Sequence, residues 1–294
     1  MWSNIDLYFE PRNYCLSKYN WPIGEPEMTS FESAFLCGLI RDKKPKKIVE
    51  IGVAGGGTTV IVLKCLELLG IADETKMFSV DISENFYRGH GEKSGYLANE
   101  LLNEKTDFQH EFLLGRFLPE VLEHIGGHID FVILDTRHST PGELLDFLAI
   151  YPFLISDAYI VLHDIAFNHY GYVPLGFATQ LLLSCVNDKK ILSKDNNRTS
   201  EYPNIGAFIT TPETKESLFD VLNALMVTWR YVPDMKEFSI YQNHFRLMYG
   251  DDFADLFESI YKLQSLSNQK LIWNSKFFQF YMSIKRTIGK FLMK

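Results

Sequence analysis

The sequence is poor in cysteine and in positive charge, and it has no long hydrophobic run. Its four cysteines are scattered without a C-x-x-C pair, which favours a reduced, cytoplasmic setting. Acidic residues outnumber basic ones by 37 to 29, and the net charge is −8. This argues against a general nucleic-acid-binding protein, because phosphate recognition needs a basic surface. No stretch approaches the roughly 20 apolar residues of a membrane-spanning helix.

The N-terminal stretch also lacks the features of a secretory signal. MWSNIDLYFEPRNY places Asp6, Glu10 and Pro11 where a signal peptide has a cationic start followed by an apolar run. We therefore expect that the protein is not exported and that it is cytoplasmic.

What the sequence does contain is a regular alternation of short apolar runs and helix-like segments. The runs are rich in valine, isoleucine and leucine, as is typical of parallel strands covered on both faces. They are KIVEIG (47–52), KMFSVD (76–81), FQHEFLLG (108–115), IDFVILD (129–135), AYIVLHD (158–164) and IGAFIT (205–210). The pattern predicts a core at 46–212, an N-terminal segment and helix at 1–45, and a helical extension at 213–294. In the first segment, Thr29 and Glu32 have the spacing of a helix capping box.

A glycine-rich stretch, EIGVAGGGTT (50–59), follows the first of these runs. A phosphate-binding loop of the Walker type needs a lysine after its last glycine, and here threonine follows. The dinucleotide fingerprint G-x-G-x-x-G matches only in degenerate form, because its second glycine falls on Ala54. A third pattern, [ED]-x-G-x-[GA]-x-G, fits residues 50–56 in full.

This third pattern resembles the first motif of class I S-adenosylmethionine-dependent methyltransferases. Small residues let the backbone approach the methionine part of that donor closely, and the acid can pair with its ammonium group. The resemblance implies that Asp81 accepts both ribose hydroxyls and that Arg116 belongs to a loop touching the adenine. The implied cofactor is S-adenosylmethionine, and the implied binding residues are Glu50, Gly52, Ala54, Gly55, Gly56, Asp81, Arg116 and Asp135.

The same resemblance implies an α/β fold of the Rossmann-like type. Its sheet is doubly wound, mostly parallel and seven-stranded, and helices are added at both ends of the chain. In such a sheet, ligands bind beyond the carboxyl ends of the strands, beside the point where the strand order reverses. The fourth and fifth predicted strands end there, in LDTRHST (134–140) and LHDIAFNH (162–169). We therefore expect Asp135, His138, His163 and Asp164 to converge on one place.

Their placement resembles a methyltransferase family associated with O-methylation of polysaccharides and macrolide sugars. In that family a strand-ending IDGDHS is followed by HD or ED after the next strand. The matching residues are Asp135, His138 and Ser139 for the first motif, and His163 and Asp164 for the second. Thr136 and Arg137 replace its Gly-Asp. The resemblance covers residues 45–170 and implies a hydroxyl group of a sugar or glycan precursor as the methyl acceptor.

A hydroxyl acceptor must lose its proton when it is methylated. His138 or His163 can serve as a general base near neutral pH, and His138 is preferred because its motif matches more closely. Alternatively, Asp135 and Asp164 can hold Mg²⁺, which lowers the pKa of the hydroxyl. The candidate catalytic residues are His138, His163 and Asp164, and the candidate metal ligands are Asp135 and Asp164.

Two other functions stay open at this stage. A nicotinamide-dependent sugar oxidoreductase also places an acid at the position of Asp81, although a complete glycine fingerprint and a Tyr-x-x-x-Lys helix are missing. A non-catalytic adenosyl-binding scaffold is the other alternative, because Arg137 stands where the family has an acid.

The end of the chain is strongly basic. Beyond Glu258 it has seven lysines and arginines and no acid, and within 276–294 most of these charges lie opposite an apolar face on a helical wheel. We expect this helix to pack on its own domain or in a homodimer, in preference to an anionic membrane surface. The expected partner is a small-molecule or glycan acceptor, and no nucleic acid.

Overall fold

The computed structural model describes residues 5–19, 21, 28–89, 91–104, 108–170 and 175–268. The helices are α1 (Glu10–Lys18), α2 (Ser30–Lys43), α3 (Gly57–Leu68), α4 (Ala98–Glu104), α5 (Leu122–Ile125), α6 (Gly142–Ile150), α7 (Phe167–Tyr170), α8 (Ala178–Cys185), α9 (Thr214–Ala224), α10 (Met235–Tyr249) and α11 (Asp251–Asn268). The strands are β1 (Lys47–Ile51), β2 (Lys76–Asp81), β3 (Gln109–Leu114), β4 (Ile129–Leu134), β5 (Leu154–His163), β6 (Lys189–Ile191) and β7 (Ile205–Ile209).

All seven strands form one sheet in the order β3-β2-β1-β4-β5-β7-β6. Strands β1 to β5 run parallel, and β7 runs antiparallel to both of its neighbours. The chain therefore reverses its direction of winding between β1 and β4. This is the doubly wound, mostly parallel seven-stranded sheet that the resemblance implied, and the fold prediction is confirmed. The carboxyl ends of β1 and β4 meet at this reversal.

The sheet is covered on both faces. Buried residues of α1 to α4 pack on one face, and buried residues of α5, α6 and α8 to α11 pack on the other. Phe245 in α10 and Phe257 in α11 are fully buried, and their rings lie 5.1 Å apart. The helices after residue 213 thus share a hydrophobic core with the sheet, which brings α10 close to the strand ends.

Two elements differ from the predicted pattern. Helix α6 ends at Ile150, because Pro152 lacks the N–H group that would continue the α-helical hydrogen bonds. A short 3₁₀ turn follows, and β5 begins at Leu154, four residues earlier than predicted. Strand β6 is not among the six predicted strands. It has three residues at the sheet edge, too few for a hydrophobic pattern to reveal it.

None of the helices in the described ranges is long and apolar enough to cross a membrane. The predicted amphipathic helix at 276–294 lies outside the described residues.

Candidate functional site

The glycine-rich stretch forms the turn between β1 and α3. Gly52 has a φ of +94°, and a Cβ atom there would lie 1.9 Å from the carbonyl oxygen of Asp135. Gly56 has a φ of +90°, and its Cβ would lie 2.7 Å from the Cα of Gly95. Only glycine fits these two positions, because a side chain would meet backbone in a left-handed conformation. The turn therefore packs directly against the end of β4.

Asp81, at the end of β2, holds the glycine turn in place. Its Oδ2 accepts hydrogen bonds from the N–H groups of Val53 at 2.9 Å and Ala54 at 3.1 Å. Its Oδ1 accepts one from Ser83 N–H at 2.8 Å. A carboxylate has about four acceptor positions, so Asp81 can still accept from a ligand in the cavity that it lines.

Glu50 lies inside the sheet and not at its edge. It is opposite Ser79 in the register of β1 and β2, and its Oε2 accepts hydrogen bonds from the hydroxyls of Ser79 at 2.6 Å and Thr59 at 2.7 Å. Burial raises the pKa of this carboxyl to about 7. Its side chain is fully buried and does not line the cavity, which corrects the prediction that it faces a bound ligand.

A cavity of about 260 Å³ lies at the carboxyl ends of β1, β2 and β4. Seven of the predicted site residues line it: Gly52, Ala54, Gly55, Asp81, Arg116, Asp135 and His138. The remaining predicted residues do not line it: Glu50, Gly56, His163 and Asp164. Gly56 belongs to the glycine turn and packs against Gly95. Glu50, His163 and Asp164 are buried beside the cavity.

The four strand-end residues converge as predicted. His163 Nδ1 lies 3.0 Å from Asp135 Oδ1, and His138 Nδ1 lies 3.3 Å from Asp164 Oδ2. Both His138 and Asp164 have positive φ, at 54° and 59°. Such a conformation costs a residue other than glycine on the order of 1–3 kcal/mol and is concentrated at functional sites. The chain therefore accepts local backbone strain to bring these two side chains together.

Carboxylates on both sides of the His163 ring favour its protonated form. Burial alone would lower its pKa, but the nearby carboxylates of Asp135, Glu32 and Asp164 raise it well above the ordinary value. Glu32 Oε2 lies 3.5 Å from His163 Nε2, on the side of the ring away from Asp135. Because these carboxylates favour the imidazolium, which has no free lone pair, His163 is less suited than His138 to act as the general base, and its role stays a prediction.

The partners of His163 carry the complementary charge. Burial would raise the pKa of Glu32, but His163 and the hydrogen bonds from Thr29 outweigh burial and lower it to about 2. Burial would also raise the pKa of Asp135, which the two histidines keep below its ordinary value. Arg198 adds a second cation, at 2.9 Å from Glu32 Oε1. The site thus contains a buried chain of alternating charges that runs from Arg198 to Asp135.

His138 is the imidazole that faces the cavity. About a quarter of its side chain is exposed, against 9% for His163. Its backbone N–H donates to Glu143 Oε1 at 2.6 Å, and its ring meets the ring edge of Phe167 at 5.1 Å between centroids. The preference for His138 over His163 therefore agrees with the geometry.

Sequence reasoning missed the wall of the cavity that α6 and the C-terminal extension supply. Its polar members are Asp146, Tyr231, Glu237 and Tyr241. Arg137 stacks on the ring of Tyr231 with 4.2 Å from guanidinium carbon to ring centroid, and its Nη2 lies 3.4 Å from Glu237 Oε2. No sequence signal links residue 137 to residue 237, because their contact depends on how α10 packs on the sheet. The sequence shows that Glu32 belongs to a helix capping box, but it gives no sign that the Glu32 carboxylate contacts His163.

Three side chains are close enough to share a cation. Asp135, His138 and Asp164 each offer a ligand atom, and these atoms lie within 4.8 Å of one another. Carboxylate oxygens suit Mg²⁺, which takes one or two carboxylates and completes its shell with water. The two carboxylates fit such an ion, and the Nδ1 atom of His138 is a less usual neighbour for it.

The sequence and structure were compared with known proteins. Residues 49–165 match the model of a family described as a methyltransferase domain. No curated protein is similar enough to the chain to count as a match.

Several solved structures resemble the fold at low sequence identity. The O-methyltransferase TomG of Streptomyces achromogenes, involved in tomaymycin synthesis and in complex with SAM, is 17% identical, with a TM-score of 0.46 over 63% of this chain and 81% of that one. The O-methyltransferase of Bacillus cereus in complex with SAH is 13% identical, with a TM-score of 0.43 over 69% and 89%. The SAH-bound Podospora anserina methyltransferase PaMTH1 is 12% identical, with a TM-score of 0.47 over 69% and 86%.

The matched segment begins in β1 and ends just after β5. It contains the glycine turn, Asp81 and all four strand-end residues, and it excludes Glu32 and the helices that complete the cavity wall. Residues 49–165 are therefore similar to a methyltransferase domain, and helices precede and follow the matched segment.

Proposed function

We propose that the protein transfers a methyl group from S-adenosylmethionine to a hydroxyl group of a sugar or glycan precursor. The observation that carries this proposal is the single cavity that joins the glycine turn and Asp81 to His138. Donor-binding groups and a candidate base lie in one enclosed space, as transfer from a bound donor to a bound acceptor requires.

The donor is expected to lie across the ends of β1 and β2. The backbone of the glycine turn is free of side chains at Gly52 and Gly55, which lets the methionine part approach closely. Asp81 then accepts hydrogen bonds from the ribose hydroxyls. If the methionine part binds on the turn, Asp135 and His138, which line the same cavity, would be the residues placed to meet the transferred methyl group and the acceptor.

His138 is proposed as the general base. Its Nδ1 atom lies among the carboxylates of Asp164, Asp135 and Glu143 at 3.3, 3.7 and 3.8 Å. A proton on Nδ1 is favoured there, and this leaves Nε2 to accept the proton of the acceptor hydroxyl. His163 lies 3.0 Å from Asp135, and this contact helps to keep the carboxylate ionised and fixed in position.

Methyl transfer to a panel of acceptors tests the proposal directly. The purified chain is incubated with methyl-labelled S-adenosylmethionine and free sugars, nucleotide sugars, oligosaccharides or catechols, and the label is followed into product. We expect label in at least one sugar-containing acceptor. Binding of NAD, with no binding of S-adenosylhomocysteine, would favour the oxidoreductase alternative. Binding of S-adenosylhomocysteine without transfer to any acceptor would favour the scaffold.

Replacing Asp81 by alanine is expected to weaken binding of S-adenosylhomocysteine by about 1–3 kcal/mol, because the hydrogen bonds to the ribose are lost. Part of the loss comes from the glycine turn, since the N–H groups of Val53 and Ala54 lose their acceptor. Titration calorimetry measures the effect. Asp220→Ala, on the exposed side of α9, is the matched control and should bind as the wild type does. An unchanged affinity in Asp81→Ala would remove this residue from the donor site.

We also propose that Asp135 and Asp164 supply ligands to Mg²⁺. A bound cation would lower the pKa of the acceptor hydroxyl and orient it. Turnover in excess chelator is then expected to fall, and added Mg²⁺ should restore it. The rate is measured with and without chelator at constant donor concentration. Full turnover in excess chelator would show that the metal is not needed, and His138 would then be the sole activating group.

A further inference from the structure

The C-terminal extension forms one wall of the cavity. Three of its residues, Tyr231, Glu237 and Tyr241, line the space together with Arg137 and Asp146 of the core. The extension lies outside the segment that matches the methyltransferase family, which ends at residue 165. Any ligand contact made by this wall is therefore a property of this chain, beyond what the family match indicates.

The wall lies opposite the glycine turn. Helix α10 packs on the face of the sheet that carries α6, whereas α3, which follows the glycine turn, packs on the other face. At its start, Lys236 of α10 lies 5.7 Å above the ring of Phe117, which follows β3. Glu237 also reaches Arg137, which follows β4. Helix α10 thus spans the cavity from the β3 side to the β4 side.

Under the proposed function, this wall faces the base of the donor. The glycine turn binds the methionine part of the donor and Asp81 binds the ribose. The adenine is then expected to lie against the opposite wall. Apolar side chains also line the cavity and can flank the two faces of a base: Ile82, Phe117, Leu118 and Leu145. The edge of the base then meets the polar groups of the wall.

Among the acidic groups of this wall, Glu237 is the one whose carboxylate oxygens accept only long hydrogen bonds, so it can accept another from a ligand. Its side chain is only 8% exposed. Arg137 Nη2 and the Tyr231 hydroxyl donate to it at 3.4 and 3.5 Å, both at the long limit of a hydrogen bond. Asp146, by comparison, accepts a hydrogen bond of 2.5 Å from the Tyr241 hydroxyl and one of 3.3 Å from Thr136.

We infer that Glu237 accepts a hydrogen bond from the exocyclic amino group of the donor's adenine, so that the C-terminal extension takes part in donor recognition. This inference rests on the proposed function. A carboxylate only accepts hydrogen bonds, so it favours a base that carries an amino group at this edge. A base with a carbonyl oxygen there places two acceptors against each other, and neither has a proton to share.

The test compares two ligands that differ at this one group. S-adenosylhomocysteine and S-inosylhomocysteine, its 6-oxo counterpart, are titrated into the full chain by calorimetry. For the wild type we expect the adenosyl ligand to bind about ten- to a hundredfold more tightly, as is typical of a hydrogen bond to a charged group. In Glu237→Gln, the amide offers both a donor and an acceptor, and the preference should fall to within about threefold. Glu216→Gln, on the exposed side of α9, should keep the wild-type preference.

The outcomes separate the inference from the proposed function. If the wild type binds neither ligand, the donor assignment is wrong and the inference is overturned with it. If the wild type binds both ligands equally, or if folded Glu237→Gln keeps the full preference, the donor assignment stands and the inference alone is wrong. Thermal melting of each variant establishes folding. If Glu237→Gln does not fold, Glu237→Ala is titrated in its place and should also lose the preference, and a folded alanine variant that keeps the full preference overturns the inference.

Discussion

Replacing His138 by alanine is expected to lower turnover by about 10²–10⁴-fold, the usual contribution of a general base. His138 is the imidazole of the strand-end cluster that lines the cavity, whereas His163 is buried beside it and its carboxylate neighbours raise its pKa well above the ordinary value. No lysine lies in either strand-end stretch, 134–140 or 162–169, to replace it. The affinity for S-adenosylhomocysteine should be nearly unchanged, because the donor lies on the glycine turn and Asp81.

Turnover and donor binding are measured on the same preparation, so that lost chemistry is separated from lost binding. His169→Ala is the matched control, because this imidazole is exposed on the short helix α7 after β5. Added imidazole should restore part of the rate of His138→Ala and leave the control unchanged. If His138→Ala turned over the true acceptor at the wild-type rate, the histidine-base mechanism would be wrong.

The parts of the fold that follow from local pattern could be predicted from the sequence. Strand β4 is buried throughout, β1 nearly so and β2 in part, and their mainly apolar runs mark them almost to the residue. The start of α2 could also be predicted from local pattern. Both hydrogen bonds of its capping box, between Thr29 and Glu32, lie within four consecutive residues. The three-residue strand β6 has no such pattern, because only its pairing with β7 defines it.

Some residues of the candidate site could also be predicted from local pattern, and others could not. Asp81 and His138 could be found because each follows a strand end, and parallel strands bring their ends to one edge of the sheet. Glu50 belongs to the same motif, but the pleat turns its side chain into the sheet, where it bonds to Ser79. Glu237 is about 100 residues from Arg137, and Glu32 is about 130 residues from His163. Such contacts arise from packing between elements and leave no trace in local spacing.

Replacing His163 by alanine is expected to destabilise the fold by about 3–5 kcal/mol, the usual cost of breaking a buried ion pair. The imidazolium lies 3.0 Å from Asp135, 3.5 Å from Glu32 and 3.7 Å from Asp164, so its removal leaves three carboxylates without their common cation. Urea unfolding at neutral pH measures the loss. His124→Ala is the control, because His124 meets Glu111 at an exposed site and such pairs contribute about 0–1 kcal/mol. Equal losses in the two variants would contradict the buried-charge argument.

The pH dependence of this difference gives a second, independent check. The pKa of His163 is raised in the folded state, so its contribution is fully present below the ordinary histidine pKa of 6.5 and is lost as pH rises through the higher folded value. The pKa of Glu32 is lowered to about 2, so its contribution is present above 4.5 and is lost as pH falls toward 2. The stability gap between wild type and His163→Ala should therefore be widest from about pH 5 to 7 and narrow on both sides. A gap that stayed constant from pH 3 to 10 would mean that His163 contributes by packing and not by charge.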